Sequence, residues 1–241
     1  MDTLALHISN GIINGPVAGA FAGLAALALA YCLRRGRRDL DDRLVPMAGL
    51  VAAFIFAVQM LNFPVLPGVS GHLLGGALAA LLVGPWIGAL CVAVVLVVQA
   101  LVFADGGVTA IGLNVTNMAL VGTVAAYAVI AALLRVLPRT PTGLGLTAFL
   151  ASVVSVVAAS QAFVAQYALG GTTRLTDFSL GAVAATMAGT HTLIGIGEGL
   201  IAATTVMTVA RTRPDLVYAL RHRRPAAPGA PQPATAGGSA R

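Results

Sequence analysis

Residues 62–86 read NFPVLPGVSGHLLGGALAALLVGPW, and the reading of this stretch decides the fold. Apolar helix-forming residues flank it on both sides. Inside it, Pro64 and Pro67 interrupt the run, small residues follow, and a single imidazole, His72, stands at the mouth of a hydrophobic segment. Proline removes a backbone donor and fixes φ, so residues 62–71 read as a loop between helices. An imidazole in that position can bind a proton, a metal or a nucleophile.

Outward from this stretch the chain is overwhelmingly apolar. Of 241 residues 58% are hydrophobic and only 9% charged, and the mean hydropathy is +0.92. Such a composition belongs to a polytopic membrane protein, because a soluble domain cannot hide that much apolar surface. The net charge is +6. Lysine is absent, and the arginines gather in short runs between apolar segments. That distribution reports topology; a nucleic-acid partner is not expected. Cys32 and Cys91 lie within apolar runs and are expected as free thiols. No cleavable signal peptide is expected, since a basic n-region and a small-residue cleavage site are both missing.

Seven apolar segments are expected to cross the membrane, at about 13–33, 44–61, 73–83, 86–103, 115–134, 144–169 and 180–210. The third is short and stops at Gly84-Pro85. With Arg34, Arg35, Arg37 and Arg38 inside, the N-terminus lies outside and the C-terminus in the cytoplasm. Thirteen arginines then fall on the inner side and only Arg174 on the outer, which fixes the orientation by the positive-inside rule. Three regions result: an outer N-terminal segment (1–12), a seven-helix domain (13–213) and a cytoplasmic tail (214–241). From about Pro225 the tail is rich in Pro, Ala and Gly and reads as disordered. There is no phosphate-binding GxxxxGK[ST], so this chain is not expected to hydrolyse ATP by itself.

Ionisable groups at membrane depth are costly and point to function. His72 and His7 fall on the same outer side, where both can face one cavity. Two imidazoles without a carboxylate or thiolate cluster suit nickel(II), cobalt(II) or copper(II) better than calcium or magnesium. The plainer reading is two unrelated histidines bonded to backbone at helix ends. His191 and Glu198, seven residues apart, share one face of the last helix. They read either as a gating pair or as interhelical hydrogen-bonding groups. Asp105, Asn114 and Asn117 can orient ligand imidazoles; equally, Asp105-Gly106-Gly107 is a turn and Asn114 a helix cap. Ser70 is expected to shape the loop carrying His72. Ala18, Ala22, Ala26 and Ala30 form a small-residue stripe that permits close approach of a helix, from within this chain or from a partner.

Four phrases carry a resemblance: LHISNGI (6–12), NFPVLPGVSGHLLGGALAALLVGPW (62–86), VVLVVQALVFADGGVTAIGLNVTNMALVG (94–122) and HTLIGIGEGLI (191–201). In this order they resemble the CbiM/NikM-type cobalt/nickel substrate-capture component of energy-coupling-factor ABC transporters. The resemblance implies an all-α S-component fold with an extra N-terminal helix, and capture of a divalent metal, cobalt ahead of nickel. It also implies a transmembrane coupling subunit, ABC ATPase subunits and a small accessory membrane subunit as partners in a prokaryotic plasma membrane. The transported ion is the only metal implied, with no prosthetic group. In that family the ion is held by the terminal amine, by the backbone nitrogen and imidazole of the second residue, and by the histidine of the SGHLLGG phrase. His7 and His72 match the two histidines. The family opens directly with Met-His, whereas residues 1–5 here precede Leu6-His7. The mature chain is therefore expected to start at Leu6, whose codon can initiate translation, and to present its amine to the metal.

An alternative of another class is a rhomboid-like intramembrane serine protease. Gly68-Val69-Ser70-Gly71 fits a GxSG phrase with Ser70 as nucleophile and His191 as base. It leaves His7 and His72 without a role, and the Trp-Arg element of such proteases is missing.

Overall fold

The computed structural model describes residues 7–40, 44–66, 69–172 and 179–221, with backbone only at Val69 and Ser70. Leu6, Gly68, the Ser70 side chain, Arg174 and the tail from Pro225 lie outside the described residues. Helix α1 (Gly15–Gly36) leads to α2 (Leu44–Gln59), then to a hairpin of β1 (Phe63–Leu66) and β2 (Val69–Gly71). After α3 (Gly76–Val83) and α4 (Pro85–Val102), one helical run covers Val108–Leu133. It contains α5 (Ile111–Asn114), a π-helical stretch Val115–Gly122, and α6 (Thr123–Leu133). The long α7 (Pro141–Gly170) and α8 (Leu180–Thr212) follow, and a short α9 (Tyr218–Arg221) ends the described chain. This is an all-α, multi-pass membrane protein.

Local chemistry sets the helix starts. Asn14 accepts from Val17 N at the head of α1, Thr140 from Gly143 N at the head of α7, and Ser179 from Ala182 N at the head of α8. Each supplies a partner for a donor the first helical turn leaves unpaired. Proline stands in the first turn of α1, α4 and α7, where its missing N–H costs nothing.

Among the described residues five helices are long and apolar enough to cross a membrane, and α2 adds a shorter apolar helix of 16 residues. The expected third span is where the structure departs from the sequence reading. α3 has only eight residues, all of them buried. At 1.5 Å per residue it is about 12 Å long, far short of a bilayer's apolar thickness. A helix apolar on every face belongs in a core, and α3 sits among α2, α4, α6, α7 and α8. Cys32 and Cys91 are buried free thiols, as expected.

Close packing runs through small residues. A Cβ built on Gly195 or Gly199 of α8 falls within about 3 Å of the α7 backbone at Val153 or Phe149. The stripe on α1 divides. Ala18 is buried with Ala25 and Cys32 on the inward face, whereas Ala22, Ala26 and Ala30 are exposed. Ala22 nevertheless presses its backbone on α5, because a Cβ on Gly112 would overlap the Ala22 Cα. α1 is the least covered of the five long spans, so this contact is central to its docking. Gly112→Val is therefore expected to destabilise by about 1–3 kcal/mol, the usual cost of overpacking, and to lower Tm in detergent. Gly189→Ala, where a Cβ meets nothing within 4 Å, should leave Tm unchanged.

Candidate metal centre

The segment carrying His72 leaves regular structure at Gly71 and regains it at Gly76. Two glycines make the path possible. A Cβ on Gly71 would lie 2.6 Å from Ile194 of α8, and Gly75 has φ +86°, a left-handed conformation that other residues seldom adopt. Between them the backbone polar groups find side-chain partners. The Glu198 carboxylate accepts from Leu74 N (2.6 Å) and Gly75 N (3.2 Å), and Gln59 Nε2 donates to Leu74 O (2.9 Å). His72 donates from Nδ1 to Leu73 O at 2.9 Å. A carbonyl only accepts, so the proton sits on Nδ1 and Nε2 keeps its lone pair. The ring is 5% exposed. Burial, and next the neighbouring His7, push its pKa down to about 4, so at neutral pH it is in the form that binds metal.

His7 arrives from the opposite side of the sequence on a segment pinned by long-range bonds. Asn114 grips the residue after it from both ends: Ile8 N donates to Asn114 Oδ1 (2.9 Å), and Asn114 Nδ2 donates to Ile8 O (3.2 Å). Gly107 N also donates to Ile8 O, and Asn10 Oδ1 accepts from both the backbone and the hydroxyl of Thr109. Asn14 N donates to Gly170 O, and Thr172 N to Ile12 O, fastening the segment to the far end of α7. His7 itself is 4% exposed. Its Nδ1 donates to Asp105 Oδ1 at 3.0 Å. That bond holds the Asp105 carboxyl below its ordinary range. His7 Nε2 is buried and without a hydrogen-bond partner among the described residues.

The two rings meet with centroids 4.9 Å apart at 38°. Both therefore spend Nδ1 on the protein and hold Nε2 in reserve, one backed by a carboxylate and one by a carbonyl, the usual support of metal-ligating histidine. Among the described residues no group of three His, Cys, Asp or Glu side chains is placed to hold a metal ion. A metal at this pair needs ligands beyond the His, Cys, Asp and Glu side chains of the described residues.

The other expected residues divide. Asp105 and Asn114 join the centre. The capping role for Asn114 is excluded: it lies inside the helical run, makes no cap bond, and turns to Ile8. Asn117 stands off, donating to Gln166 Oε1 at 2.8 Å. His191 accounts for its Nδ1 within its own helix, at Met187 O (2.8 Å). Glu198 is bonded to the His72 loop, and no bond links it to His191 among the described residues. Gln59 escaped the sequence reading. It is the last residue of an apolar helix, and its partner is fifteen residues on.

The family model for the cobalt uptake substrate-specific transmembrane region, CbiM, matches residues 7–216. A fused chain of Archaeoglobus fulgidus named NikMN for nickel transport is 40% identical over 224 residues, 93% of this chain and 70% of that one. The cobalt transport protein CbiM of Sorangium cellulosum is 32% identical over 230 residues, 93% of this chain and 100% of that one. A crystal structure of a truncated transition metal transporter shares the fold, with TM-score 0.72 at 23% identity over 86% of this chain and 99% of that one. Nothing among these relatives favours the rhomboid-like alternative. A family match that begins at His7 and spans both imidazoles, on this fold, places the chain in the CbiM family: it is a metal-uptake membrane component and not an enzyme.

Proposed function

We propose that this protein captures a divalent cobalt or nickel ion between His7 and His72, at the outer face of the membrane, as the substrate of import. The observation that carries the reading is the pair of buried rings, each with Nδ1 bonded and with no hydrogen bond at Nε2 among the described residues. With a metal–nitrogen distance of about 2 Å, an imidazole centroid lies roughly 3 Å from the ion, so two adjacent ligands have centroids about 4.5 Å apart. The 4.9 Å found here suits two neighbouring positions on one ion. Nitrogen donors favour late first-row ions over calcium or magnesium, which take oxygen.

The N-terminus faces outward and the arginine-rich loops face the cytoplasm in this reading, supported by the arginine asymmetry. Uptake is driven by separate ATPase subunits through a transmembrane coupling subunit, with a small accessory membrane subunit as a further partner. The chelate implied by the family resemblance adds a Leu6 amine and the His7 backbone nitrogen. It closes through His7 Nδ1, the atom that here bonds Asp105. Forming it requires the ring to leave Asp105 and turn about its Cβ–Cγ bond.

Calorimetric titration with nickel(II) and cobalt(II) tests the site. His7→Ala and His72→Ala should each cut affinity by at least about 100-fold, while Ser70→Ala leaves it unchanged; wild-type affinity in either histidine variant would sink the reading. Asp105→Asn should weaken binding about 10- to 100-fold, the usual cost of losing a carboxylate behind a ligand histidine. Intact-mass measurement identifies the first residue of the protein used. A chain starting at Leu6 should bind nickel more tightly than one starting at Met1 and show the absorption of planar d⁸ nickel. Equal affinities would remove the amine from the ligand set.

A further inference from the structure

The geometry points to Gln59 and Glu198 as positioning residues for His72, gripping one peptide segment of its loop from two helices. The inference rests on His72 being a metal ligand. Glu198 is fully buried, and a carboxylate in such a place is very costly unless hydrogen bonds satisfy it. Its two oxygens go to successive backbone donors of the loop, Leu74 N and Gly75 N. Gln59, also buried, donates to the carbonyl of the same Leu74. Both faces of residue 74 are thus held, two positions beyond His72, at a point where neither strand nor helix supplies partners. Gly71 wedged on Ile194 and Gly75 against Ile55 leave the loop no slack on either side.

The two halves of the metal centre consequently stand on different supports. His72 is registered to α2 through Gln59 and to α8 through Glu198. His7 is registered to the loop after α4, to Asn114 of α5 and to the end of α7. A displacement of α2 and α8 against the α5 side moves one imidazole relative to the other while leaving each half internally bonded. Gln59 and Glu198 are the links through which such a displacement reaches the ligand. They act on metal affinity by placing Nε2 of His72, without touching the ion.

The test titrates nickel(II) into the purified full chain in detergent and measures Tm in parallel. Glu198→Gln and Gln59→Leu should each weaken binding about 10- to 100-fold, the range for residues that orient a metal ligand, and should shift the visible absorption of the bound ion. Ser155→Ala is the control, because it removes a buried hydroxyl bonded to Gly122 O, outside the His72 loop. It should lower Tm yet leave affinity and spectrum intact. In a His72→Ala background, adding Gln59→Leu should change nothing further. Wild-type affinity and spectrum in Gln59→Leu and Glu198→Gln, with binding lost in His72→Ala, overturns the positioning role alone. Wild-type affinity in His72→Ala overturns the site itself. Should Glu198→Gln fail to fold, Gln59→Leu carries the test.

Discussion

Non-helical backbone packed among membrane helices has no water to turn to, so every N–H and C=O along it must find a partner in the protein. Residues 72–75 bear that constraint here, between a hairpin and a helix that is buried on all sides. The chain meets it by bringing polar side chains to the backbone: the His72 ring to Leu73 O, Gln59 to Leu74 O, Glu198 to Leu74 N and Gly75 N. The bond that satisfies Leu73 also settles which nitrogen of His72 is protonated. Backbone satisfaction and orientation of the His72 imidazole are one arrangement, and the fully buried Glu198 of α8 is bonded within it.

The opposite wall is built differently. Residues 7–14 pack into a small apolar cluster of Ile8, Ile13, Ala18, Ala110 and Leu113, separate from the main core around α3. The segment is held chiefly by hydrogen bonds to residues far away in sequence. Few buried apolar contacts and many bonds near the surface mark elements that open at low cost. The candidate centre therefore lies on a seam, between a loop docked on the main core and a segment held by hydrogen bonds to residues distant in sequence.

Much of this was legible in the chain. Apolar runs placed five helices to within three residues at each end, and a sixth (Val108–Leu133) at its end but seven residues late at its start, because sustained hydropathy is what a bilayer demands of a span. The third expected span differs: a run of eleven apolar residues reads alike for a short span and for a core helix, and here it forms a buried helix of eight residues. The hairpin of β1 and β2 left no signal, being four and three residues long with a proline in the first strand. The π-helical stretch that follows Asn114 has no sequence signature either, although such stretches accompany functional sites. His7 and His72 were singled out by residue type and expected side, and paired by the family resemblance; the structure brings their rings together. The partners of Asn114 and Gln59 were not found, because a polar residue at a helix end looks like a rim residue until its distant partner is placed beside it.

The chemistry of the seam also bears on which ions it admits. Burial keeps His72 neutral, and Asp105, whose carboxyl stays ionised, already spends an oxygen on His7. An incoming cation thus meets nitrogen lone pairs at the centre and a carboxylate one bond further away. Calcium and magnesium gain little there, for they need several oxygen ligands in direct contact. On the proposed reading, a late first-row ion would gain two imidazole bonds there and still feel the carboxylate through the ring it polarises. Discrimination in this arrangement comes from donor type rather than from net charge, and the negative charge held behind His7 offsets part of the cost of burying the ion.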